Sequence, residues 1–309
     1  MQDHATFHPG IWWGFGDIGG NDYWRMKARI IGGDFIQPPK GDKDSGQFTV
    51  KDKLLVNGTN EVFCEQISRF TIMQRPAGIL MVCDTTLRRE QSDFWLGDQE
   101  EMGLGIRTAT PIATVSKKGG RILNREGMTD LKEIRTNQSD WCDYGGPIAG
   151  RFGGIMLMNN PKNFRKPWWH AVDDGQLVAT PLAESELNNR GKKTENVLVK
   201  AGEPFHLSYG VLMHLDSAAD QFHPSSAYSD FLSILPTLET KPRDDKVSQA
   251  DLPQAPEGFE VSVFAQEPLV YKPSAMCFDS RGRLFVGQGP QYPENYENSP
   301  TDSVFVYID

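Results

Sequence analysis

The chain has 309 residues, a net charge of -9, 38% hydrophobic residues and 24% charged residues. This composition allows a packed core and argues against wholesale disorder. The acidic balance excludes the usual mode of nucleic-acid binding, because neutralising phosphates requires a basic face. No apolar run approaches the roughly 18 residues that a membrane span needs, and no signal peptide follows Met1.

The chain opens on a dense cluster of aromatic and titratable groups, "QDHATFHPGIWWGFGDIGGNDYW". Neighbouring residues of a strand point to opposite faces, so we expect one of Trp12 and Trp13 in the core and the other on a ligand-binding face. In a strand, His4 and His8 would lie about 13 Å apart, too far to hold one metal ion without a turn. Asp17 follows the "GFG" turn, where it would either reach a ligand hydroxyl or close an Asx turn.

Short strands bounded by turn residues dominate the next two hundred residues. The stretch "QFTVKDKLLVNGTNEVFCEQISRFTIMQ" predicts two strands joined by a hairpin turn at Asn57-Gly58. The best helix candidate is "SSAYSDFLSILPTL". This pattern predicts an all-β fold, a large antiparallel β-sandwich. The cysteines read as buried apolar residues, with a Cys64–Cys83 disulfide as the alternative if their strands pair.

Three later motifs carry further chemical groups. "DQEEMGLGIR" supplies Glu100, Glu101 and Arg107, and the last two would share one face of a regular strand. "NQSDWCDYGG" supplies Asp143. "KPWWHAVDDGQL" is the strongest motif, because a turn there would let a carboxylate orient His170. The competing interpretation of this last motif is a tryptophan-rich core strand followed by an exposed acidic turn.

These motifs, with "YGVLMH", resemble in order the PmoA-like domain of unknown function common in planctomycete proteins, over residues 2 to 216. The resemblance implies a β-sandwich of the sugar-mutarotase or carbohydrate-binding kind. His170, Asp173 and Gly175 match its Trp-His-Val-Arg-Asp-Tyr-Gly motif, whereas Ala171, Val172 and Asp174 depart from it. The resemblance also favours Glu101 over Glu100 as a general base. Asp143 fits the aspartate that follows Trp-x in the family's pattern.

From the motifs and the resemblance together we expect one functional face on which the four segments converge. Its catalytic residues would be His8, Glu101, His170 and Asp173. Its substrate-binding residues would be Trp12, Trp13, Asp17, Arg107, Asp143 and Trp169. His4 and His214 would support them. The sequence leaves a metal open, with a divalent ion at a His/carboxylate cluster as one alternative.

The composition changes near residue 236, where "PTLETKPRDDKVSQADLPQAPEG" is rich in proline and charge. We therefore expect a sandwich domain over 1–235, a linker over 236–256 and an incomplete β segment over 257–309. That segment resembles the opening blade of planctomycete membrane-associated dehydrogenase β-propellers, which are similar to sugar dehydrogenases. Because the chain begins directly on a motif, we expect residues before Met1, with any export signal, to be missing. The expected location is periplasmic or secreted.

Two functions fit these observations. The first is a carbohydrate-active enzyme, a hydrolase, lyase or epimerase that uses His, Glu and Asp groups beside aromatic rings. The second is a non-catalytic carbohydrate-binding module that presents substrate to a sugar dehydrogenase propeller. In both, the partner is a carbohydrate, with no nucleic acid and no membrane span. Only the enzyme needs a general base, so the number of titratable residues in separate motifs favours the enzyme.

Overall fold

The computed structural model describes residues 8, 10–184, 196–238, 255–256, 273–280, 284–288 and 303–307. His4 and residues 239–254 of the predicted linker lie outside these ranges. The chain divides into two compact units, residues 1–236 and residues 237–309. The first unit contains every candidate site residue.

The larger sheet of the first unit has eight antiparallel strands in the order β2-β3-β4-β5-β14-β10-β9-β8. Their bounds are β2 Ile30–Gly41, β3 Ser45–Leu55, β4 Val62–Arg75, β5 Gly78–Arg88, β8 Arg121–Asn124, β9 Trp141–Ile148, β10 Arg151–Asn159 and β14 Phe205–Asp216. The predicted hairpin joins β3 to β4, and Gly58 in its turn has φ +72°, a left-handed conformation that glycine adopts without strain.

The smaller sheet has four antiparallel strands in the order β1-β7-β12-β11. These are β1 Ile11–Phe15, β7 Met102–Arg107, β12 Gln176–Thr180 and β11 Trp168–Ala171. A two-stranded ribbon pairs β6 Phe94–Leu96 with β13 Val197–Val199. Among the described residues of the unit, two α-helices accompany the sheets, α1 Leu131–Thr136 and α2 Pro224–Leu238. Helix α2 forms from the segment that the sequence singled out.

The hydrophobic core lies between the larger and the smaller sheet. Alternate residues of the strands that line the core enter it, as the two-residue period of a strand requires, whereas β2 is exposed throughout. From the smaller sheet these include Phe15, Leu104, Ile106, Trp169, Leu177 and Ala179, and from the larger sheet Cys83, Cys142, Tyr144, Leu157, Tyr209 and Val211. The ring of Trp13 joins them, with its centroid 6.1 Å from that of Tyr209. The predicted antiparallel β-sandwich is confirmed.

Helix α2 covers the outer face of the larger sheet. Gly210 makes room for it, because a Cβ there would stand 2.9 Å from the Phe231 ring. The hydroxyl of Tyr228 donates a hydrogen bond to the Asn159 carbonyl at 3.2 Å, and Arg75 on β4 forms an ion pair with Asp230. The helix is therefore an integral part of the sandwich.

The alternative of a Cys64–Cys83 disulfide fails, and both residues are buried free thiols. Strands β4 and β5 do pair, but their register sets Cys83 opposite Phe70 rather than opposite Cys64. Burial raises the pKa of the Cys64 thiol to about 12. The thiol is therefore protonated and unreactive at neutral pH.

The second unit contains an antiparallel sheet of three strands in the order β15-β16-β17. They are β15 Pro273–Phe278, β16 Leu284–Gln288 and β17 Ser303–Tyr307. The small C-terminal β segment expected from the sequence is thus present. In the part of the chain that the structure describes, no helix is long and apolar enough to cross a membrane.

Candidate functional site

The outer face of the smaller sheet gathers most of the chemical groups that the sequence singled out. Four residues form one row across the four strands, because Trp12 lies opposite Gly105, Gly105 opposite Val178 and Val178 opposite His170. With strands about 4.8 Å apart, the Cα atoms of Trp12 and His170 are roughly 14 Å apart. The row therefore separates an aromatic group at one edge of the sheet from a titratable group at the other.

The aromatic edge is built from three rings. Trp12 lies across Gly105, where a Cβ would stand 2.4 Å from the indole. Trp24 packs beside Trp12, with ring centroids 6.0 Å apart, and His8 stacks on Trp24 at 3.6 Å and 11°. Burial lowers the pKa of His8, and the nearby Arg107 adds to this effect. At neutral pH these three rings form an uncharged aromatic surface.

The titratable edge is a hydrogen-bonded pair, His170 and Glu100. The Nδ1 atom of His170 lies 2.7 Å from Oε2 of Glu100, which also accepts a hydrogen bond from Arg135 of helix α1. The bond to His170 is the main cause of the lowered pKa of Glu100. Since this carboxylate is ionised, Nδ1 carries the proton and donates it. In the neutral form of the ring the lone pair is therefore on Nε2.

The other atoms of this pair are open to a ligand. No described residue bonds to Nε2 of His170 or to Oε1 of Glu100, and neither atom is sealed from solvent. The side chain of His170 is 9% exposed and that of Glu100 is 29% exposed. A lone pair on a largely desolvated imidazole, held by an ionised carboxylate, is the arrangement of a general base.

Arg107 and Gln176 form the third part of the face, each two residues along its strand from the central row. The Nη1 atom of Arg107 lies 2.7 Å from Oδ2 of Asp174, and Nη2 donates to Oε1 of Gln176 at 3.1 Å. This bond fixes the orientation of the Gln176 amide. The amide nitrogen of Gln176 has no partner in the described ranges and is not sealed, so it remains a donor for a ligand.

We define the candidate site as Trp12, Trp24, His8, His170, Glu100, Arg107 and Gln176. Four of the residues predicted from the sequence are in it, His8, Trp12, Arg107 and His170. Glu101 lies close by but forms an ion pair with Arg25, at 3.6 Å, and it is the neighbouring Glu100 that contacts His170.

The expected contact between His170 and Asp173 is wrong. The carboxylate that holds the imidazole is Glu100, 70 residues away in sequence. Asp173 is exposed in the turn between β11 and β12, where its backbone carbonyl accepts bonds from Thr114 and Tyr144.

Two tryptophans and an aspartate expected to bind substrate have structural roles. Trp169 is 0% exposed in the core, because β11 turns His170 outward and its neighbour inward. Trp13 also faces the core, which confirms the predicted split between Trp12 and Trp13. Asp17 accepts a hydrogen bond from the Gly20 amide at 2.8 Å, which makes it an Asx-turn residue.

Asp143 and His214 lie on the opposite side of the sandwich, so the expected convergence of four segments on one face is wrong for Asp143. Strand β9 belongs to the larger sheet, and its core face carries Cys142 and Tyr144, which leaves Asp143 on the outer face. There Oδ1 of Asp143 is 2.9 Å from Nε2 of His214, and both side chains are 0% exposed. Phe222 stacks on the imidazole at 3.6 Å.

Sequence reasoning missed four residues of this region, Trp24, Glu100, Arg135 and Gln176. Trp24 belongs to the opening aromatic cluster, and that was a usable signal. Glu100 and Arg135 are joined to the site only by long-range contacts, which carry no local pattern. Among the residues that the structure describes, no group of three His, Cys, Asp or Glu side chains could hold a metal ion.

Solved structures with a similar chain path share little sequence with this protein. One is a protein described as a kojibiose phosphorylase, from the human microbiome, with 8% identity and a TM-score of 0.35, where 72% of this chain aligns with 24% of that chain. Two are galactose mutarotase-like proteins. The one from Lactobacillus casei has 11% identity and a TM-score of 0.30 over 66% of this chain and 89% of that one. The one from Clostridium acetobutylicum has 9% identity and a TM-score of 0.29 over 62% and 67%.

Sequence comparison assigns each unit to a family. No curated protein matches the chain. Residues 248–309 match a domain of unknown function, DUF7133. Residues 1–223 match a second family model, and they include the whole candidate site. Because that match covers well over half of the 309 residues, the chain belongs to the family of unknown function DUF6807.

Proposed function

We propose that this protein is a carbohydrate-active enzyme and that His170 is its general base. The observation that carries the proposal is the His170–Glu100 pair, whose Nε2 has no partner among described residues on the face that Trp12 and Trp24 also line. Indole rings stack on the C–H faces of sugars, while a few polar groups bind the hydroxyls. The site combines both features.

The arrangement favours proton abstraction, the step shared by epimerases and lyases. Nε2 of His170 would take the proton from a carbon next to a carbonyl group of the sugar, and the electron pair of that C–H bond would move onto the carbonyl oxygen to form an enolate. The imidazolium that forms would be stabilised by the Glu100 carboxylate. The usual glycoside hydrolase needs two carboxyl groups across the scissile bond. Here Glu100 is bonded to His170 and Arg135, and Glu101 to Arg25, so neither matches that requirement.

The second candidate is a carbohydrate-binding module. It is favoured by the three stacked rings at the aromatic edge, which would hold a sugar without any chemistry. The two functions differ in what they require of His170. A binding module needs Trp12 and Trp24 but no base, whereas the enzyme loses its reaction when His170 is replaced.

Deuterium exchange tests the proposal directly. The full chain is incubated in D₂O with a panel of neutral sugars, keto sugars and uronates, and NMR follows the loss of C–H signals. We expect exchange or conversion of at least one sugar, and a loss of roughly a hundredfold or more in His170→Gln. His206→Gln is the matched control, because that histidine is half exposed on the larger sheet.

Three outcomes separate the candidates. Exchange that is lost in His170→Gln and kept in His206→Gln supports the enzyme. Binding without exchange, weakened in Trp12→Ala but not in His170→Gln, supports the binding module. If no sugar of the panel binds or reacts, both are wrong.

We further propose that the first unit is PmoA-like and the second the opening blade of a dehydrogenase propeller, exported together from the cytoplasm. The motif order quoted above supports the first part, and the sequential antiparallel order β15-β16-β17 supports the second. Fractionation of cells that express the native gene would test the location. Recovery of the protein only in the cytoplasmic fraction would contradict it.

A further inference from the structure

The ion pairs around the candidate site carry an inference about its ligand, and this inference rests on the proposed function. Three carboxylates in and around the site each have a guanidinium partner. Arg135 pairs with Glu100, Arg107 with Asp174 at 2.7 Å, and Arg25 with Glu101 at 3.6 Å. These pairs lie on different sides of the central row, so each of these three carboxylates faces an opposite charge in the described part of the chain.

Arg107 is the group that would ordinarily bind an anionic sugar, because its fork of donors matches a carboxylate or a phosphate. Its side chain is 9% exposed. Nη1 forms an ion pair with Asp174 at 2.7 Å, and Nη2 donates to Gln176. Nε and Nη1 are both sealed from solvent and make no hydrogen bond in the described structure. A ligand carboxylate would have to displace Asp174 to reach it. If the ligand carboxylate bound beside Asp174 without displacing it, the two negative charges would repel each other.

The groups that remain are suited to hydroxyls. They are two acceptors, Nε2 of His170 and Oε1 of Glu100, and one donor, the amide nitrogen of Gln176. A hydroxyl both donates and accepts, so a diol satisfies such a set. A carboxylate only accepts, and it would leave both acceptors unmatched at the cost of its own desolvation.

The spacing of these groups fits one sugar ring. His170 is opposite Val178, and Gln176 is two residues from Val178 along β12. The diagonal between such positions on neighbouring strands is about 7–8 Å, close to the distance across a hexose with its hydroxyls. We propose that the site binds an uncharged sugar, and that the Arg107–Asp174 pair excludes uronates and sugar phosphates.

The test compares matched sugars on the full chain. Calorimetry measures binding of the methyl glycosides of glucose, galactose and mannose, of their C6-oxidised uronates and of their 6-phosphates. We expect the best neutral glycoside to bind at least about tenfold more tightly than its uronate and phosphate counterparts, since a desolvated unpaired charge is costly. Equal or tighter binding of the charged sugars would overturn the inference and leave the proposed function standing.

Asp174→Asn sharpens this test. The amide keeps an oxygen where Oδ1 accepts the Gln176 backbone N–H at 3.1 Å, but it removes the charge that occupies Arg107. We expect the preference for the neutral sugar to fall by roughly tenfold or more in this variant. Asp93→Asn is the control, because it removes the same charge from an ion pair with Lys200 elsewhere.

These outcomes are distinct from a failure of the proposed function. An unchanged preference in Asp174→Asn would show that the pair does not set selectivity, and it would overturn the inference. If neither neutral nor charged sugars bind the unaltered protein, the inference fails together with the proposed function. If only uronates or phosphates bind, the inference alone fails, because a sugar site is still present.

Discussion

The two sheets each carry a histidine held by a carboxylate on the outer face, and the two pairs differ in what covers them. His214 and Asp143 are 0% exposed, and both ring nitrogens of His214 face carboxylates, since Nδ1 is 3.3 Å from Asp216. His170 has one carboxylate partner and leaves Nε2 unbonded in the described structure. A histidine bonded to a carboxylate therefore stabilises the fold in one place and is a candidate general base in the other.

The difference comes from the residues around each pair. Phe222 and Phe152 pack on the ring of His214, on the sheet face that helix α2 covers. Next to His170 in the outer row is Val178, and beyond Val178 is Gly105, and neither is a ring that could stack on the imidazole. Hydrogen bonding to a carboxylate is thus no sign of function by itself, and an accessible second nitrogen is the feature that distinguishes the two pairs.

The largest expected effect is on turnover, and it should fall on the open pair alone. His170→Ala removes the base, so activity on the sugar found in the exchange panel should fall by roughly 10²–10⁴-fold. The melting temperature should change little, because the imidazole is bonded to a partly exposed carboxylate. Equal activity losses per folded molecule in His170→Ala and His214→Ala would break the comparison.

The second effect is on stability, and it should fall on the sealed pair. His214→Ala leaves Asp143 as a buried carboxylate without its partner, which typically costs about 3–5 kcal/mol in the free energy of unfolding. For a domain of this size that corresponds to a fall of roughly 10 °C in the melting temperature. Calorimetric or denaturant unfolding measures it, with His206→Ala as the exposed-histidine control. A change in the free energy of unfolding below about 0.5 kcal/mol would mean that the buried pair does not stabilise the fold.

A third change tests whether the Trp12 ring binds sugar on the face that carries His170 and Glu100. Gly105→Ala would place a methyl group 2.4 Å from the Trp12 indole, so the ring must move. Sugar affinity should fall by about 1–3 kcal/mol, the value of a buried indole contact. Gly46→Ala is the matched strand control, since its Cβ would meet nothing closer than 3.7 Å. If the two variants bind the sugar equally well, the Trp12 ring does not contact the sugar.

The smallest effect is the pH dependence of stability from Glu100. Its pKa is lowered in the folded protein, chiefly by the bond from His170. The carboxylate therefore contributes stability above the pKa of an unfolded glutamate and loses it as the pH falls through the folded value. Because the site is partly exposed, the contribution should be less than about 1 kcal/mol.

Melting curves of the protein and Glu100→Gln measure this contribution. The two melting temperatures should differ at pH 7 and approach each other between about pH 5 and pH 3. A difference that grows as the pH falls would contradict the ionised state of Glu100. It would also remove the reason for placing the proton on Nδ1 of His170.

The sequence predicted what depends on local periodicity. Alternating side chains gave the strands, the Asn57-Gly58 turn gave a hairpin, and alternation alone separated Trp12 from Trp13. It did not predict the partner of His170, because Glu100 reaches that ring from a loop far away in sequence and is itself held by Arg135 of a distant helix. No local rule states which carboxylate of the run "EE" turns toward a distant strand.

Asp143 shows a second limit. Alternation along β9 predicts which residues share a face with Asp143. It does not predict which side of the molecule that face is on until the sheet is known. Strand β9 joined the larger sheet, and that choice placed Asp143 on the far side of the molecule. Sheet membership is decided by long-range pairing, which a single sequence does not display.

The position of helix α2 has a practical consequence for making the protein. The family match ends at residue 223, one residue before the helix begins. A gene fragment cut at that limit would lose the Phe231 ring that fills the space over Gly210 and the Arg75–Asp230 ion pair. It would also leave an apolar strip of sheet bare to solvent, which invites aggregation during expression. Expression clones of the sandwich should therefore extend through Leu238.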